Sequence, residues 1–178
     1  MIGLSEKLEI KASEFMYVVR NSVFEDARMA GMEEISITDV AEGFTYYKNL
    51  STFGGKESKV KTLVNCYKED SQYSATVTSG SGEYAITYMV EEVEDGILVT
   101  YTEADSYQKT LRKWNSNIMT WLLGGKKKKS VVAMLKAIEE YVLQNRSDIT
   151  RKIKNLSEAV VADCEISGEN GDVINAQE

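Results

Sequence analysis

Between Phe44 and Thr102 the chain is a succession of short segments in which apolar and polar residues alternate with period two. Val60, Thr62, Val64 and Cys66 alternate with Lys59, Lys61, Leu63 and Asn65. Tyr73, Ala75 and Val77 alternate with Ser74, Thr76 and Thr78. Tyr84, Ile86, Tyr88 and Val90 alternate with Glu83, Ala85, Thr87 and Met89, and Ile97, Val99 and Tyr101 with Leu98, Thr100 and Thr102. Such alternation is the signature of strands with one face against a core. The connections are short: Lys68-Glu69-Asp70-Ser71, Gly80-Ser81-Gly82 and Glu94-Asp95-Gly96, with Gly54-Gly55 earlier. Strands joined so tightly are antiparallel neighbours, because a parallel pair needs a long crossover. The opposite faces carry Lys, Thr, Ser and Glu, so one sheet face is expected to meet solvent.

Helical patterns bracket this all-strand middle. Leu4 to Ile10 reads as a first strand. Ser13 is the expected cap of a helix from Phe15 to Ala30, with Phe15, Val19, Val23 and Ala27 on one face and Gly31 as its stop. Ile35 to Gly43 reads as a corner capped near Thr38 or Asp39, and Phe44, Tyr46 and Leu50 begin the sheet. Tyr107, Leu111, Trp114, Ile118 and Trp121 form a narrow seam on a helix from Tyr107 to Leu123. Ser130 would cap a last helix from Val131 to Leu143, with Val131, Leu135, Ile138 and Val142 buried and Met134 and Tyr141 widening that face. The expected fold is α+β: a curved antiparallel sheet wrapped around a C-terminal helix.

The 178 residues divide into one domain, 1–146, and an extension, 147–178. Ile149, Ile153 and Leu156 would carry the helix on for a few turns, and the Gly-, Asn- and acid-rich stretch from Glu165 to Glu178 is expected to be disordered. A hydrophobic content of 43% supplies a core without disulfide or metal staples.

Charge and composition exclude several functions. The net charge of −7 gives no global attraction for nucleic acid. There is no histidine, which removes the commonest general base and metal ligand, so no metal and no cofactor are expected. Cys66 and Cys164 are the two cysteines, and they read as ordinary reduced thiols. The N-terminal MIGLSEKLEIKA lacks the basic-then-apolar pattern of a signal peptide, and no apolar run approaches the roughly 20 residues of a membrane span. A cytoplasmic protein with no transmembrane segment is expected.

No catalytic motif emerges. Gly55-Lys56-Glu57-Ser58 resembles the end of a phosphate-binding loop, but Leu50 stands where the motif needs glycine. The carboxylates Glu91, Glu92, Glu94, Asp95, Glu103 and Asp105 fall at strand ends and turns, where charges are normally solvated, and Glu83 lies at a strand start. The chain is therefore expected to bind rather than to catalyse.

Two binding readings stand. The 10 tyrosines include Tyr73, Tyr84, Tyr88 and Tyr101 on the apolar phase of their strands. They either fill the core with each hydroxyl at its rim or line a cavity that holds an apolar ligand or lipid. Such a cavity would be lined by Tyr73, Val77, Tyr84, Ile86, Tyr88, Val99 and Tyr101, and closed by Leu135, Ile138 and Val142. The alternative is a peripheral membrane or protein-interaction surface in the segment 114–129, where Trp114 and Trp121 precede Lys126, Lys127, Lys128 and Lys129.

Particular junctions carry a family resemblance. They are Lys7-Leu8-Glu9-Ile10 leading into Phe15, Gly43-Phe44-Thr45-Tyr46, Tyr84 to Val90, Val99-Thr100-Tyr101-Thr102-Glu103, and Leu122-Leu123-Gly124-Gly125-Lys126-Lys127. With them the chain resembles the START-like (SRPBCC, Bet v 1-like, helix-grip) superfamily. More narrowly, it resembles the bacterial domain-of-unknown-function family 3284. The resemblance spans roughly residues 1–145. It implies a hydrophobic pocket between sheet and last helix and supplies no catalytic residue. It departs at one point: a helix-grip fold usually has two short helices after the first strand, whereas Phe15 to Ala30 reads as one.

Overall fold

Alternation dictates the sheet, and the computed structural model, which describes residues 2–51, 57–80, 82–106 and 125–168, shows how it is assembled. Its strands are β1 (Ile2–Leu8), β2 (Thr45–Ser51), β3 (Glu57–Lys68), β4 (Gln72–Ser79), β5 (Gly82–Val93) and β6 (Gly96–Ser106). The helices are α1 (Ala12–Met29) and α2 (Gly125–Gly168), with a 3-10 turn at Ile37–Asp39. Among the described residues the sheet order is β1-β6-β5-β4-β3-β2, antiparallel throughout. The first strand thus closes on the last, across the edge that the hairpins leave open. The helix expected at Tyr107–Leu123 and the turn at Gly54-Gly55 lie outside the described residues.

β1 ends at Leu8, earlier than the pattern suggested, and Ile10 is buried in the link to α1. The helix begins at Ala12 rather than after a Ser13 cap; Lys11 is extended, and its N–H donates to the Glu14 carboxylate at 2.9 Å. Phe15, Val19, Val23 and Ala27 are all buried, as their spacing requires. Gly31 (φ 101°) stops α1: its N–H bonds the Arg28 carbonyl and that of Met32 bonds Ala27, an end that needs a left-handed residue. α1 is a single helix, followed directly by the corner. There Ser36, rather than Thr38 or Asp39, is the cap, and its N–H donates to Asp39 at 2.7 Å.

A bulge in β3 overturns one phase assignment. Val64 pairs with Ala75, but Cys66 pairs with Ser74 and Tyr67 with Tyr73. The extra residue, Asn65, moves the strand on by one, so Tyr67 takes the inner face and Cys66 the outer. Gly96 (φ 143°) is needed for close approach: a Cβ there would meet the Leu8 carbonyl oxygen at 2.1 Å.

α2 starts at Gly125, so the four lysines lie in its first turns and Ser130 is not a cap. It departs from helical angles at Asn145 (φ −117°, ψ 18°), whose side-chain amide donates to the Tyr141 carbonyl at 2.8 Å. Beyond this kink it runs on to Gly168, through the start of the stretch expected to be disordered. Ile149 is 1% exposed and Ile153 and Leu156 pack on the core, so the chain past 146 contributes to the main hydrophobic cluster. The buried stripe of α2 is narrower than expected: Met134 and Tyr141 are 38% and 50% exposed.

The two helices are latched to each other and to β1. Arg146 Nε lies 2.9 Å from Glu14, which is buried, and Arg146 Nη2 also reaches the Glu9 carbonyl. Lys136 Nζ donates to the Lys7 carbonyl and to Glu139, each at 3.0 Å. Arg20, also buried, ties α1 to the corner: Nε donates to the Val40 carbonyl at 3.1 Å and Nη2 to Thr38 at 2.9 Å, with the guanidinium 4.8 Å above the Tyr67 ring.

Candidate functional site

Register sorts the inner face of the sheet into rows. Leu8 and Ile97 pair at the end nearest the β5–β6 turn, and Val90, Val99 and Glu6 form the next row. A row of tyrosines follows: Tyr67, Tyr73, Tyr88 and Tyr101 lie directly opposite one another across four strands, with Leu4 beyond. Then come Val64, Ala75, Ile86 and Glu103. Tyr46, Thr62, Val77 and Tyr84 form the last. A row of smaller side chains, ended by a carboxylate, therefore runs between two rows that carry tyrosines. This is a trough with aromatic walls.

The walls are well ordered by contact. Tyr73 and Tyr88 have ring centroids 6.1 Å apart and Tyr88 and Tyr101 5.4 Å. Phe15 of α1 meets Tyr88 edge-on at 5.7 Å, the arrangement favoured by the ring quadrupoles. Tyr67 donates to the Met16 carbonyl at 3.4 Å. At the β2 edge, Asp26 accepts the Tyr46 hydroxyl and, at 2.6 Å, Lys48 Nζ. From α2, Met134 Sδ lies 3.9 Å from the Tyr88 hydroxyl.

Exposure separates two parts of this face. Leu8, Ile97, Val99 and Phe15 are 0% exposed and Val90 is 5%. Tyr88, Ile86, Tyr84 and Val77 are only half-buried, although they point inward from the two central strands. Their neighbours across the sheet, Val64, Ala75, Thr62 and Glu103, are buried, so in these rows the partial exposure is confined to the two central strands.

Burial and charge hold the hydroxyls protonated. Burial pushes Tyr67 up to about 12. It pushes Tyr88 to about 12 as well, with the Glu103 charge adding to the rise. Tyr73 is raised further by burial, Tyr46 by burial and then its bond to Asp26, and Tyr101 by burial and then its bond to Glu103. At neutral pH each is a neutral donor and acceptor.

The sheet residues named from sequence all lie on this inner face. Tyr73, Val77, Tyr84, Ile86, Tyr88 and Tyr101 surround the trough, while Val99 belongs to the closed end. Leu135 and Val142 of α2 are fully buried and Ile138 is half-buried. Trp114 and Trp121 lie outside the described residues; Lys126 and Lys127 are within the first turn of α2, and Lys128 and Lys129 are exposed.

The carboxylate at the end of the trough is a residue the sequence reading assigned to solvent. Glu103 is 5% exposed and accepts the Tyr101 hydroxyl at 2.7 Å. The signal was present: two residues along a strand returns to the same face, so Glu103 shares the phase of Tyr101. Tyr46 and Thr62 were likewise not assigned to the site. Among the described residues no helix is long and apolar enough to cross a membrane, and no three His, Cys, Asp or Glu side chains are grouped as a metal site.

Solved structures share this arrangement at low identity. Ara h 8.0201 aligns over 81% of this chain and 97% of its own, with 15% identity and a TM-score of 0.55. The protein MLL2253 from Mesorhizobium loti aligns over 80% and 96%, with 9% identity and a TM-score of 0.53. Mll3558 from Rhizobium loti aligns over 78% and 94%, with 14% identity and a TM-score of 0.52. The fold is the Bet v 1-like helix-grip fold. No curated protein matches in sequence. The profile of one family, described as "Domain of unknown function (DUF3284)", matches residues 3–124, and the chain belongs to that family.

Proposed function

We propose that the protein is a cytoplasmic, non-catalytic binding module that holds one small, largely apolar molecule in the trough between the sheet and its helices. The observation that carries this is the partial exposure of Val77, Tyr84, Ile86 and Tyr88 on the inner face of the central strands. Central positions on an inner face are ordinarily the best packed in a domain. A pocket over these side chains, between tyrosine hydroxyls, would have the composition of a ligand site: mostly apolar, with a few polar groups to fix orientation. Binding would be driven by removal of apolar surface from water, about 25 cal/mol per Å² before the costs of association.

Native mass spectrometry of the gently purified protein, followed by organic extraction, tests this. A stoichiometric adduct lost on extraction supports the pocket and names its occupant. A clean apo mass, with no rise in melting temperature across a panel of fatty acids, sterols and aromatic amines and alcohols, removes the reading, because a ligand of the native state must stabilise it.

A further inference from the structure

The first half of α2, ahead of the kink at Asn145, has two flanks of different chemistry. One holds β1: Lys136 Nζ donates to the Lys7 carbonyl at 3.0 Å, and Glu139 accepts the Glu9 N–H. The other runs through Ser130, Met134, Ala137 and Tyr141, whose spacing of four, three and four sets them along one side of a helix. All four are exposed, Met134 to 38% and Tyr141 to 50%.

Lysines precede this flank with no acid among them. Between Gly125 and Ile138 there are five lysines and no Asp or Glu; Glu139 and Glu140 come only afterwards. Lys136 has its partners in Glu6, Glu139 and the Lys7 carbonyl. Lys126 to Lys129 occupy the first turns of the helix, and Lys128 and Lys129 are exposed. In the second half of α2, by contrast, Arg151 and Lys152 pair with Asp148 and Lys154 with Glu158. Lysines at the start of a helix are repelled by the positive end of its dipole, so these four weaken the helix they begin. Their placement calls for a reason outside the helix.

An anionic lipid surface supplies one. Lysines would meet the headgroup charge, and apolar side chains in line with them would enter the boundary beneath. The net charge of −7 does not oppose this, because a Debye length of about 8 Å at physiological salt screens acids that lie further off. A nucleic acid or an acidic protein would match the lysines alone and leave Met134 and Tyr141 in water.

We infer that the first half of α2 docks on the surface of an anionic phospholipid membrane, with Lys126 to Lys129 at the headgroups and Met134 and Tyr141 at the acyl boundary. The contact uses the outside of the domain and does not depend on a ligand in the trough.

Co-sedimentation of the full chain with vesicles of phosphatidylcholine and phosphatidylglycerol in a two-to-one ratio tests it, with pure phosphatidylcholine as the reference. Partition onto the anionic vesicles is expected to be at least about tenfold stronger. It is expected to be lost at about 1 M salt, where the Debye length falls to about 3 Å. Replacing Lys126 to Lys129 together by Gln is expected to lower partition at least about tenfold, in a helix at least as stable as before. Met134→Ser with Tyr141→Ser is expected to lower it at least about threefold. Lys152→Gln with Lys154→Gln, in the other half of the helix, is expected to leave it within about twofold. Equal partition onto both vesicle types, or none onto either, overturns the inference before any variant is made. So does partition that the four-lysine variant keeps, or that the Lys152 and Lys154 variant loses to the same extent. Partition indifferent to the Met134 and Tyr141 replacements overturns the docked flank. Retention on heparin without vesicle binding assigns the lysines to an acidic polymer and overturns the membrane contact.

Discussion

The two ends of the sheet's inner face are built by the same strands and the same alternation, yet they have opposite character. Near the β5–β6 turn, Leu8, Ile97 and Val99 are fully buried, with 0% exposure. Two rows further along β5 and β6 stand Ile86, half-buried, and Glu103, a buried acid. The closed end is packed as a protein interior is packed, and stability resides there. The other end mixes polar groups with partly exposed apolar ones on the central strands, and recognition is proposed there. The difference shows that period two selects the face a residue occupies but not whether that face is filled.

The sharpest way to break this comparison is to delete a side chain at each end. Phe15→Ala removes a fully buried ring that packs edge-on against Tyr88, and a loss of about 3–5 kcal/mol is expected. Ile86→Ala at the half-buried trough floor is expected to cost about 2 kcal/mol or less, because that side chain already keeps solvent contact. Urea midpoints at equal m-value read both. An Ile86→Ala cost equal to that of Phe15→Ala would show the trough to be filled and would erase the distinction.

Alkali probes the tyrosine walls as a group. Tyrosine loses its proton near pH 10 in an unfolded chain, whereas Tyr67 and Tyr88 hold theirs until about 12 when folded. The folded state therefore binds these protons more firmly. The stability they contribute is complete below pH 10 and is lost as pH rises from there through 12. Tyr46, Tyr73 and Tyr101 shift the same way and steepen the fall. Tyrosinate absorbance from the walls should rise only above pH 10, together with unfolding. A single smooth titration centred near 10 would contradict the burial of the walls.

Most of the fold was legible because it is local. Alternation gave β3 to β6, the short turns gave their antiparallel order, and the four-residue spacing of Phe15, Val19, Val23 and Ala27 gave the face of α1. What escaped depends on single insertions and on distant partners. One extra residue at Asn65 exchanged Cys66 for Tyr67 on the inner face, and no composition signal marks such a bulge. The length of α2 was underestimated because its second half is mostly polar; one buried residue, Ile149, and the Arg146–Glu14 pair anchor it to the domain. Glu103 was assigned to solvent from its residue type, although its phase placed it inside. Residue type carries the average behaviour of carboxylates, and a recognition site is where the average is expected to fail.

The smallest expected effect is also the one that decides what the wall hydroxyls are for. Tyr88→Phe keeps the ring and its contacts with Phe15, Tyr73 and Tyr101. It removes a hydroxyl whose acceptor is the Met134 sulfur at 3.9 Å, a weak partner at long range. The expected loss of stability is under about 1 kcal/mol, and the native protein should lose one of the tyrosines that hold their proton to about 12. A hydroxyl so weakly held at the partly exposed end remains available to a ligand, so the variant should weaken ligand binding more than it weakens the fold. A large loss of stability would instead mean that the hydroxyl is a strut of the interior, and the tyrosine row would then belong with the closed end as packing.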